Sequence, residues 1–373
     1  MRRSITAIAA LIVCALPSLG LFGVKDISPI KGFEKSQAVS QLTWLSLVNC
    51  CYQKSAEGFY SKRFFLRSLM YKARCQTYHW FNFGVYHESK NIGQFADGTL
   101  FEKRYLEFYC DPQARVSKDA VRQSLSAIAK LQETLAPCGV DVMFVMAVDK
   151  IQMTEKPFPW LTEKLFRKHR TEFQSEYEHL LSDYYIKSLD THALLTNMMP
   201  HYAETMFPYA GTHWNALGAS LVVEEILTRL NLHSMKPYRL NHFIGVEECP
   251  RPHYADDDLG KLLNLFFNPY LKRNKRFLPR YERKSFAPND GSVIVFGDSF
   301  SCEITFSLRR AHEFDNRLVL NCNKRLPTDK EYATILPNLR LVIFVYQTPN
   351  MLELDNRFGS QIKKFCTKVQ SSY

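Results

Sequence analysis

Ser299 stands where a strand, a tight turn and a helix would place a nucleophile. Residues 293–296 form a short apolar run, Gly297-Asp298-Ser299 follows it, and a helix is predicted from Ser301. Glycine lets the chain turn sharply off the strand, so the serine lies beside the first free amides of a helix, which can stabilise an oxyanion. This context favours a serine nucleophile for acyl transfer. The alternative is that Ser299 is only a helix N-cap.

His213 is the predicted base for that serine. It lies in a glycine-bearing segment, is followed by Trp214, and directly precedes an apolar helix predicted over residues 216–230. A loop that leads into a helix lets an imidazole face a cleft, where it can take a proton from a hydroxyl. The spacing therefore indicates a Ser–His pair for nucleophilic catalysis.

The two motifs together resemble the AlgX/AlgJ-like alginate O-acetyltransferase family, whose SGNH-like domain is permuted so that the histidine precedes the serine. The motifs are Thr212-His213-Trp214 and Gly297-Asp298-Ser299, with weaker agreement at Gly98-Thr99-Leu100-Phe101, Val148-Asp149-Lys150 and Asp256-Asp257-Asp258-Leu259. The resemblance spans roughly residues 90–350. It implies an acyl-transfer enzyme with a serine nucleophile.

The carboxylate that should orient the histidine is missing from its family position. In the resembled family an aspartate typically stands two residues before the histidine, in the pattern Asp-x-His-Trp. In this sequence Gly211 occupies that position. Asp190 and Asp298 are the predicted substitutes, because a carboxylate must hold the imidazole and stabilise its protonated form. A Ser–His dyad and a degenerate site are the alternatives. His192, which repeats the Asp-x-His spacing after Asp190, is a weaker candidate for the base.

Lys150, Trp214 and Asn215 are the predicted substrate-binding residues. Lys150 follows an apolar run at 140–148, so it should lie at the same sheet edge as the serine. There it could attract an anionic substrate or pair with a carboxylate. Asn215 could donate to an oxyanion, although N-capping of the following helix is the alternative. No cofactor is predicted, and no cysteine–histidine grouping has the spacing of a zinc site.

Alternating helices and buried strands predict an α/β fold with one doubly wound parallel sheet. The predicted strands are residues 140–148, 291–296, 318–320 and 341–346. An amphipathic helix is predicted over 121–135, and residues 256–281 are predicted as helix plus surface loop. The family resemblance implies an SGNH hydrolase-like three-layer α/β/α arrangement with an N-terminal extension. Ligands should bind at the carboxyl ends of the strands.

The N-terminal residues predict export. Arg2 and Arg3 precede an uncharged run over residues 4–24, which is typical of a signal peptide and nearly long enough to span a bilayer. The predicted domains are residues 1–24 as signal peptide or membrane anchor, 25–90 as an N-terminal arm, and 91–373 as the SGNH hydrolase-like acyltransferase domain.

The net charge of +11 predicts an anionic partner such as a phospholipid surface or an acidic polysaccharide. No nucleic-acid motif is present, and a merely solvated surface is the alternative. In an oxidising compartment some cysteines should pair. The predicted set is Cys50, Cys51, Cys75, Cys110 and Cys138.

The resemblance implies an O-acetyltransferase that modifies an exported polysaccharide in the periplasm. It further implies a membrane-bound acyltransferase partner that supplies acetyl, with the inner membrane reached through the N-terminal segment. The first alternative is an SGNH-type carbohydrate esterase, in which water replaces the sugar hydroxyl. The second is a non-catalytic polysaccharide-binding or assembly protein, which Gly211 and the basic surface favour.

Overall fold

The computed structural model of the protein describes residues 67–82, 91–110, 118–153, 175, 178–202, 206–232, 236–249, 256–282, 291–311, 314, 319–321, 326–347 and 358–372. The chain divides into two compact units. The smaller unit is Met1–Lys90 with Leu259–Lys272, and the larger is Asn91–Asp258 with Arg273–Tyr373. Residues 1–24, for which a signal peptide or anchor is predicted, lie outside the described residues. Among the helices that the structure describes, none is both long and apolar enough to cross a membrane.

The helices and strands are numbered here in chain order. The helices are α1 (Arg67–Asn82), α2 (Lys103–Cys110), α3 (Lys118–Leu135), α4 (Thr191–Met198), α5 (Ala216–Asn231), α6 (Asp258–Leu262), α7 (Pro269–Arg273), α8 (Ser301–Ala311), α9 (Asp329–Ile335) and α10 (Phe358–Gln370). The strands are β1 (Ile92–Gln94), β2 (Leu100–Glu102), β3 (Asp141–Ala147), β4 (Ser188–Asp190), β5 (His242–Cys249), β6 (Arg276–Glu282), β7 (Ser292–Gly297), β8 (Val319–Asn321) and β9 (Leu339–Gln347).

A parallel sheet of five strands forms the centre of the larger unit. Its order is β4-β3-β9-β7-β8, and every neighbouring pair is parallel. Strands β3, β7 and β9 are buried along almost their whole length, which is why they are continuous apolar runs in the sequence. The predicted α/β class and the four predicted strands are confirmed.

Helices cover both faces of this sheet, because successive side chains of a strand point to opposite sides. On one face Phe144 and Phe296 belong to a buried cluster that includes residues of α3 and α10. On the other face Val145 and Val295 belong to a second cluster, with residues of α5 and α8. The three-layer arrangement is therefore as predicted. The apolar stripe expected on α3 is fully buried: Val121, Leu125, Ile128, Leu131 and Leu135.

Two antiparallel pairs in the larger unit were not predicted. Strand β1 pairs with β2, and β5 pairs with β6. The prediction of helix plus loop for residues 256–281 is therefore wrong at its end, where β6 begins at Arg276. This strand is only partly buried and contains Pro279, so it lacks both the apolar run and the composition of a typical strand.

The prediction of disulfides fails for two of the five cysteines in the predicted set. Cys110 and Cys138 are free thiols in the structure. Cys75 is buried on α1. Cys50 and Cys51 lie outside the described residues, so their pairing stays a prediction.

Candidate active site

The turn after β7 presents Ser299 at the carboxyl edge of the sheet. A Cβ added to Gly297 would lie 2.0 Å from the backbone oxygen of Val345 on the adjacent strand, so this close approach requires glycine. The next amide, that of Asp298, donates to the same oxygen at 3.1 Å. Helix α8 begins at Ser301. Ser299 is consequently exposed between a buried strand and a helix N-terminus, as the sequence predicts.

Asp298 holds this turn and does not contact the histidine. One carboxylate oxygen accepts from the amide of Phe300 at 2.9 Å, and the other accepts from the amide of Gln347 at 2.8 Å. The side chain is buried, and it connects the turn that carries Ser299 to the end of β9. The structure therefore gives Asp298 a positioning role instead of the predicted role as the orienting carboxylate.

His213 lies within hydrogen-bond distance of Ser299. Its Nε2 is 2.7 Å from the serine Oγ, and its ring packs against Phe300 with centroids 4.9 Å apart. The imidazole is 13% exposed, so it is largely shielded while the serine hydroxyl faces solvent. A nucleophile in direct contact with a base is the arrangement that acyl transfer through a serine requires.

Asp258 is the carboxylate that orients His213. Its Oδ2 is 2.9 Å from His213 Nδ1, and its Oδ1 accepts from the amide of Thr212 at 2.9 Å. The carboxylate beside Nδ1 favours the proton on that nitrogen, and Nε2 is then left to accept from Ser299. The three side chains therefore lie in one series of polar contacts, from carboxylate to imidazole to hydroxyl. The predicted dyad is thus extended by a carboxylate that was not among the predicted substitutes.

Asp190 and His192 take no part in this series of contacts. Asp190 is the N-cap of α4, and its side chain accepts from the amide of His192 at 2.8 Å. The predicted catalytic role of Asp190 is therefore replaced by helix capping. The sequence offered one indication of Asp258: residues 256–258 belong to an acidic segment that resembles a segment of the family between histidine and serine. Three adjacent carboxylates cannot be told apart by their sequence.

Lys150 is buried and faces inward. It is 6% exposed, and its ammonium donates to the carbonyl oxygens of Leu100, Pro208 and Gly211. Two of these carbonyls belong to the loop that carries His213. The predicted contact with an anionic substrate does not fit this burial, so Lys150 instead supports the loop of the base.

Trp214 and Asn215 are also buried supports, which corrects their predicted contact with substrate. Both are 0% exposed. The indole N–H of Trp214 donates to the carbonyl of Phe300 at 3.1 Å, so it connects the loop of His213 to the turn of Ser299. The side chain of Asn215 accepts from the amide of Gly218 at 3.0 Å and caps α5, which was the stated alternative.

Replacing Lys150 by methionine is expected to weaken the fold and to slow turnover on all substrates equally. The change leaves three buried carbonyls without a donor, and each costs about 1–3 kcal/mol if it stays unsatisfied. Urea unfolding gives the loss of stability, and rates on a neutral acetyl ester and on an anionic acceptor give the effect on turnover. A selective loss with the anionic acceptor would instead restore the substrate-binding role of Lys150.

Glu303 is a further buried carboxyl group near the imidazole. It lies on α8 and is 4% exposed, so burial raises its pKa, while the charges of Arg276 and His213 oppose that rise. Arg276 is itself buried, 3.6 Å from a carboxylate oxygen of Asp256, and burial lowers the pKa of its guanidinium. The interior beside the site therefore holds a compact group of opposite charges.

The variant Glu303→Gln is expected to gain stability relative to the wild type as the pH rises. Because burial raises the pKa of Glu303 in the folded state, its contribution to stability is complete below the unfolded pKa and is lost as the pH rises through the folded pKa. Urea unfolding of both proteins at about pH 4 and about pH 8 measures this difference. A difference in unfolding free energy that does not change with pH would contradict the expectation.

Three solved structures that are similar to this chain are bacterial proteins. The O-acetyltransferase domain of Pseudomonas putida AlgJ is similar with a TM-score of 0.51 at 15% identity, covering 76% of this chain and 99% of that domain. Bacillus cereus PatB1 has a TM-score of 0.42 at 14% identity, covering 70% of this chain and 96% of its own. Pseudomonas aeruginosa AlgX has a TM-score of 0.42 at 14% identity, covering 78% and 70%. No curated protein sequence matches the chain.

The sequence also matches a family model over a continuous stretch. Residues 97–318 match the family described as the SGNH hydrolase-like domain of acetyltransferase AlgX. The match covers more than half of the chain and contains His213, Asp258 and Ser299. This is the family that the two sequence motifs resemble. The chain therefore belongs to the family of SGNH hydrolase-like AlgX acetyltransferase domains, and it is an acyl-transfer enzyme.

Proposed function

We propose that the protein transfers acetyl groups to hydroxyls of an exported polysaccharide through an acetyl-Ser299 intermediate. The observation that carries the proposal is the series of close polar contacts from Ser299 Oγ to His213 Nε2, at 2.7 Å, and from His213 Nδ1 to the Asp258 carboxylate, at 2.9 Å. Membership of an acetyltransferase family supports the choice of acetyl as the transferred group. Each residue then has one role, which follows from the atom that it presents.

In the first half-reaction the Ser299 hydroxyl attacks the carbonyl carbon of an acetyl donor while His213 Nε2 takes its proton. The negative charge of the Asp258 carboxylate, next to Nδ1, stabilises the imidazolium that forms. The tetrahedral intermediate collapses when its bond to the donor oxygen breaks. His213 then returns the proton to that oxygen, which leaves acetyl-Ser299 and the free donor alcohol or acid.

In the second half-reaction a sugar hydroxyl attacks the acetyl-Ser299 carbonyl, and His213 takes the proton of that hydroxyl. The bond from the carbonyl carbon to Ser299 Oγ breaks, and the serine recovers a proton from His213. The products are an O-acetyl sugar and the free enzyme. Whether sugar or water acts as acceptor depends on how well the cleft excludes water.

The proposal includes a location outside the cytoplasm. The hydrophobic residues 4–24 and their preceding arginines favour export into the periplasm, with cleavage or retention as an inner-membrane anchor. A retained anchor would keep the enzyme near a membrane-bound acyltransferase that delivers acetyl, as the family resemblance implies. Alginate is the polysaccharide for which the resembled family is known, and an acidic polymer suits the positive net charge.

Two alternatives are addressed by one experiment. The full chain is incubated with a chromogenic acetyl ester, with and without an acidic oligosaccharide, and the acetylated sugar and free acetate are both quantified. Transfer predicts acetylated sugar at the expense of acetate, whereas an esterase yields acetate alone at an unchanged rate. The non-catalytic alternative was favoured by Gly211 and by the basic surface, and the Asp258 carboxylate beside His213 weakens the first of these two supports. Absence of both products would overturn the enzymatic proposals together.

A further inference from the structure

Exposed apolar side chains are concentrated on the smaller unit. Among the described residues, twelve large hydrophobic side chains are exposed, and eight of them lie in α1 or in residues 259–272. We call these eight the apolar patch: Leu69, Met70, Tyr78, Trp80, Phe81, Leu262, Phe266 and Phe267. Phe81 is 77% exposed and Phe267 is 70% exposed, which is far more than a core side chain would be. Clusters of this kind mark interaction surfaces.

The two segments that contribute the apolar patch lie side by side. The rings of Trp80 and Phe267 stack with centroids 6.5 Å apart, and the amide of Phe267 donates to the side-chain oxygen of Gln76 at 2.9 Å. His79 meets Tyr270 edge-on at 5.7 Å. The two segments are therefore packed against each other within one unit.

Acidic side chains are absent from these two segments. Helix α1 contains Arg67, Lys72 and Arg74, and residues 259–272 contain Lys261 and Lys272, but neither segment contains aspartate or glutamate. Two adjacent segments that combine apolar side chains with only basic residues are complementary to an anionic, partly apolar partner. Such a combination is typical of elements that lie in the interface of a lipid bilayer.

We propose that the apolar patch binds the surface of an anionic phospholipid bilayer. Tryptophan and tyrosine rings are favoured at the headgroup level, where lysines and arginines attract anionic lipids. Exposed Leu69, Met70 and Phe81 favour lipid over polysaccharide, because these side chains offer no hydrogen bonds to sugar hydroxyls. The contact is distinct from the predicted anchor at residues 1–24, and it does not depend on the proposed acyl transfer.

Quenching of tryptophan fluorescence tests the contact in the full chain. The protein is reconstituted into vesicles of phosphatidylglycerol and phosphatidylethanolamine with brominated acyl chains, which quench only nearby indoles. A quenched component is expected in the wild type and is expected to be lost in Trp80→Phe. This component should grow with the fraction of phosphatidylglycerol and shrink with added salt. Each of the variants Lys261→Gln and Lys272→Gln should lower the ratio of protein with the apolar patch on the bilayer to protein with the patch off it about fivefold.

A tryptophan placed elsewhere provides the matched control. Tyr185 is 88% exposed on the larger unit, so Tyr185→Trp in the Trp80→Phe background creates an indole outside the apolar patch that is at least as exposed as Trp80, which is 57% exposed. This indole is expected to stay unquenched. Equal quenching at both positions would indicate unspecific adsorption and overturn the proposal. The proposal also fails if Trp80→Phe leaves the quenched component unchanged, or if only an acidic oligosaccharide without vesicles protects Trp80 from a soluble quencher.

Discussion

Ser299→Ala is expected to lower acetyl transfer by about 10⁴-fold or more, to the residual rate that binding alone supports. The variant keeps His213 and Asp258 but removes the oxygen that would carry the acetyl group. Removing the hydroxyl should disturb no other contact. Ser299 is exposed, and within the described residues its Oγ is hydrogen-bonded only to the imidazole. The fold should therefore be unaffected.

Two measurements check this result. Release of the chromophore from an acetyl ester gives the rate, and intact-protein mass spectrometry shows whether the wild type gains one acetyl group that the variant does not. Ser360→Ala on α10 is the matched control, because it makes the same change at an exposed helical serine away from the site. An acetylated Ser299→Ala protein with the rate of the wild type would mean that the nucleophile is another residue.

Asp258→Asn is expected to lower kcat by about 10⁴-fold while KM changes little. An amide in place of the carboxylate cannot stabilise the imidazolium, and its NH₂ group can favour the tautomer in which Nδ1 is unprotonated and accepts a hydrogen bond. The Nε2 atom would then carry a hydrogen and could not take the proton of Ser299.

Asp190→Asn is the control that separates the two candidate carboxylates. Asparagine caps a helix about as well as aspartate, so α4 should be preserved, and kcat is expected to stay at the level of the wild type. The assignment of Asp258 fails if the effects are reversed, with Asp190→Asn inactive and Asp258→Asn active. Circular dichroism and urea unfolding of both variants show that the comparison is made between folded proteins.

The sequence by itself was sufficient for the features that depend on local interactions. The turn around Ser299 was predictable because an apolar strand, a glycine and a helix start follow one another within a few residues. The same holds for His213, which directly precedes the apolar helix α5. Strands β3, β7 and β9 were predictable because a strand buried on both faces must be a continuous apolar run. By contrast, the partly buried hairpin of β5 and β6 has no such run, and its pairing was missed.

Only the tertiary structure decided which carboxylate and which cation serve the site. Asp190, Asp258 and Asp298 are equivalent by residue type, and their roles differ because each contacts a different group. Asp190 accepts from a helix amide, and Asp258 lies beside the imidazole. Asp298 accepts from two amides, one of which belongs to the turn that carries Ser299. Lys150 was expected at the sheet edge and does follow β3 there. The direction in which the Lys150 side chain points was not predictable, because the three carbonyls that accept from its ammonium belong to segments far from it in the chain. Contacts of this kind exist only after the sheet has brought its loops together.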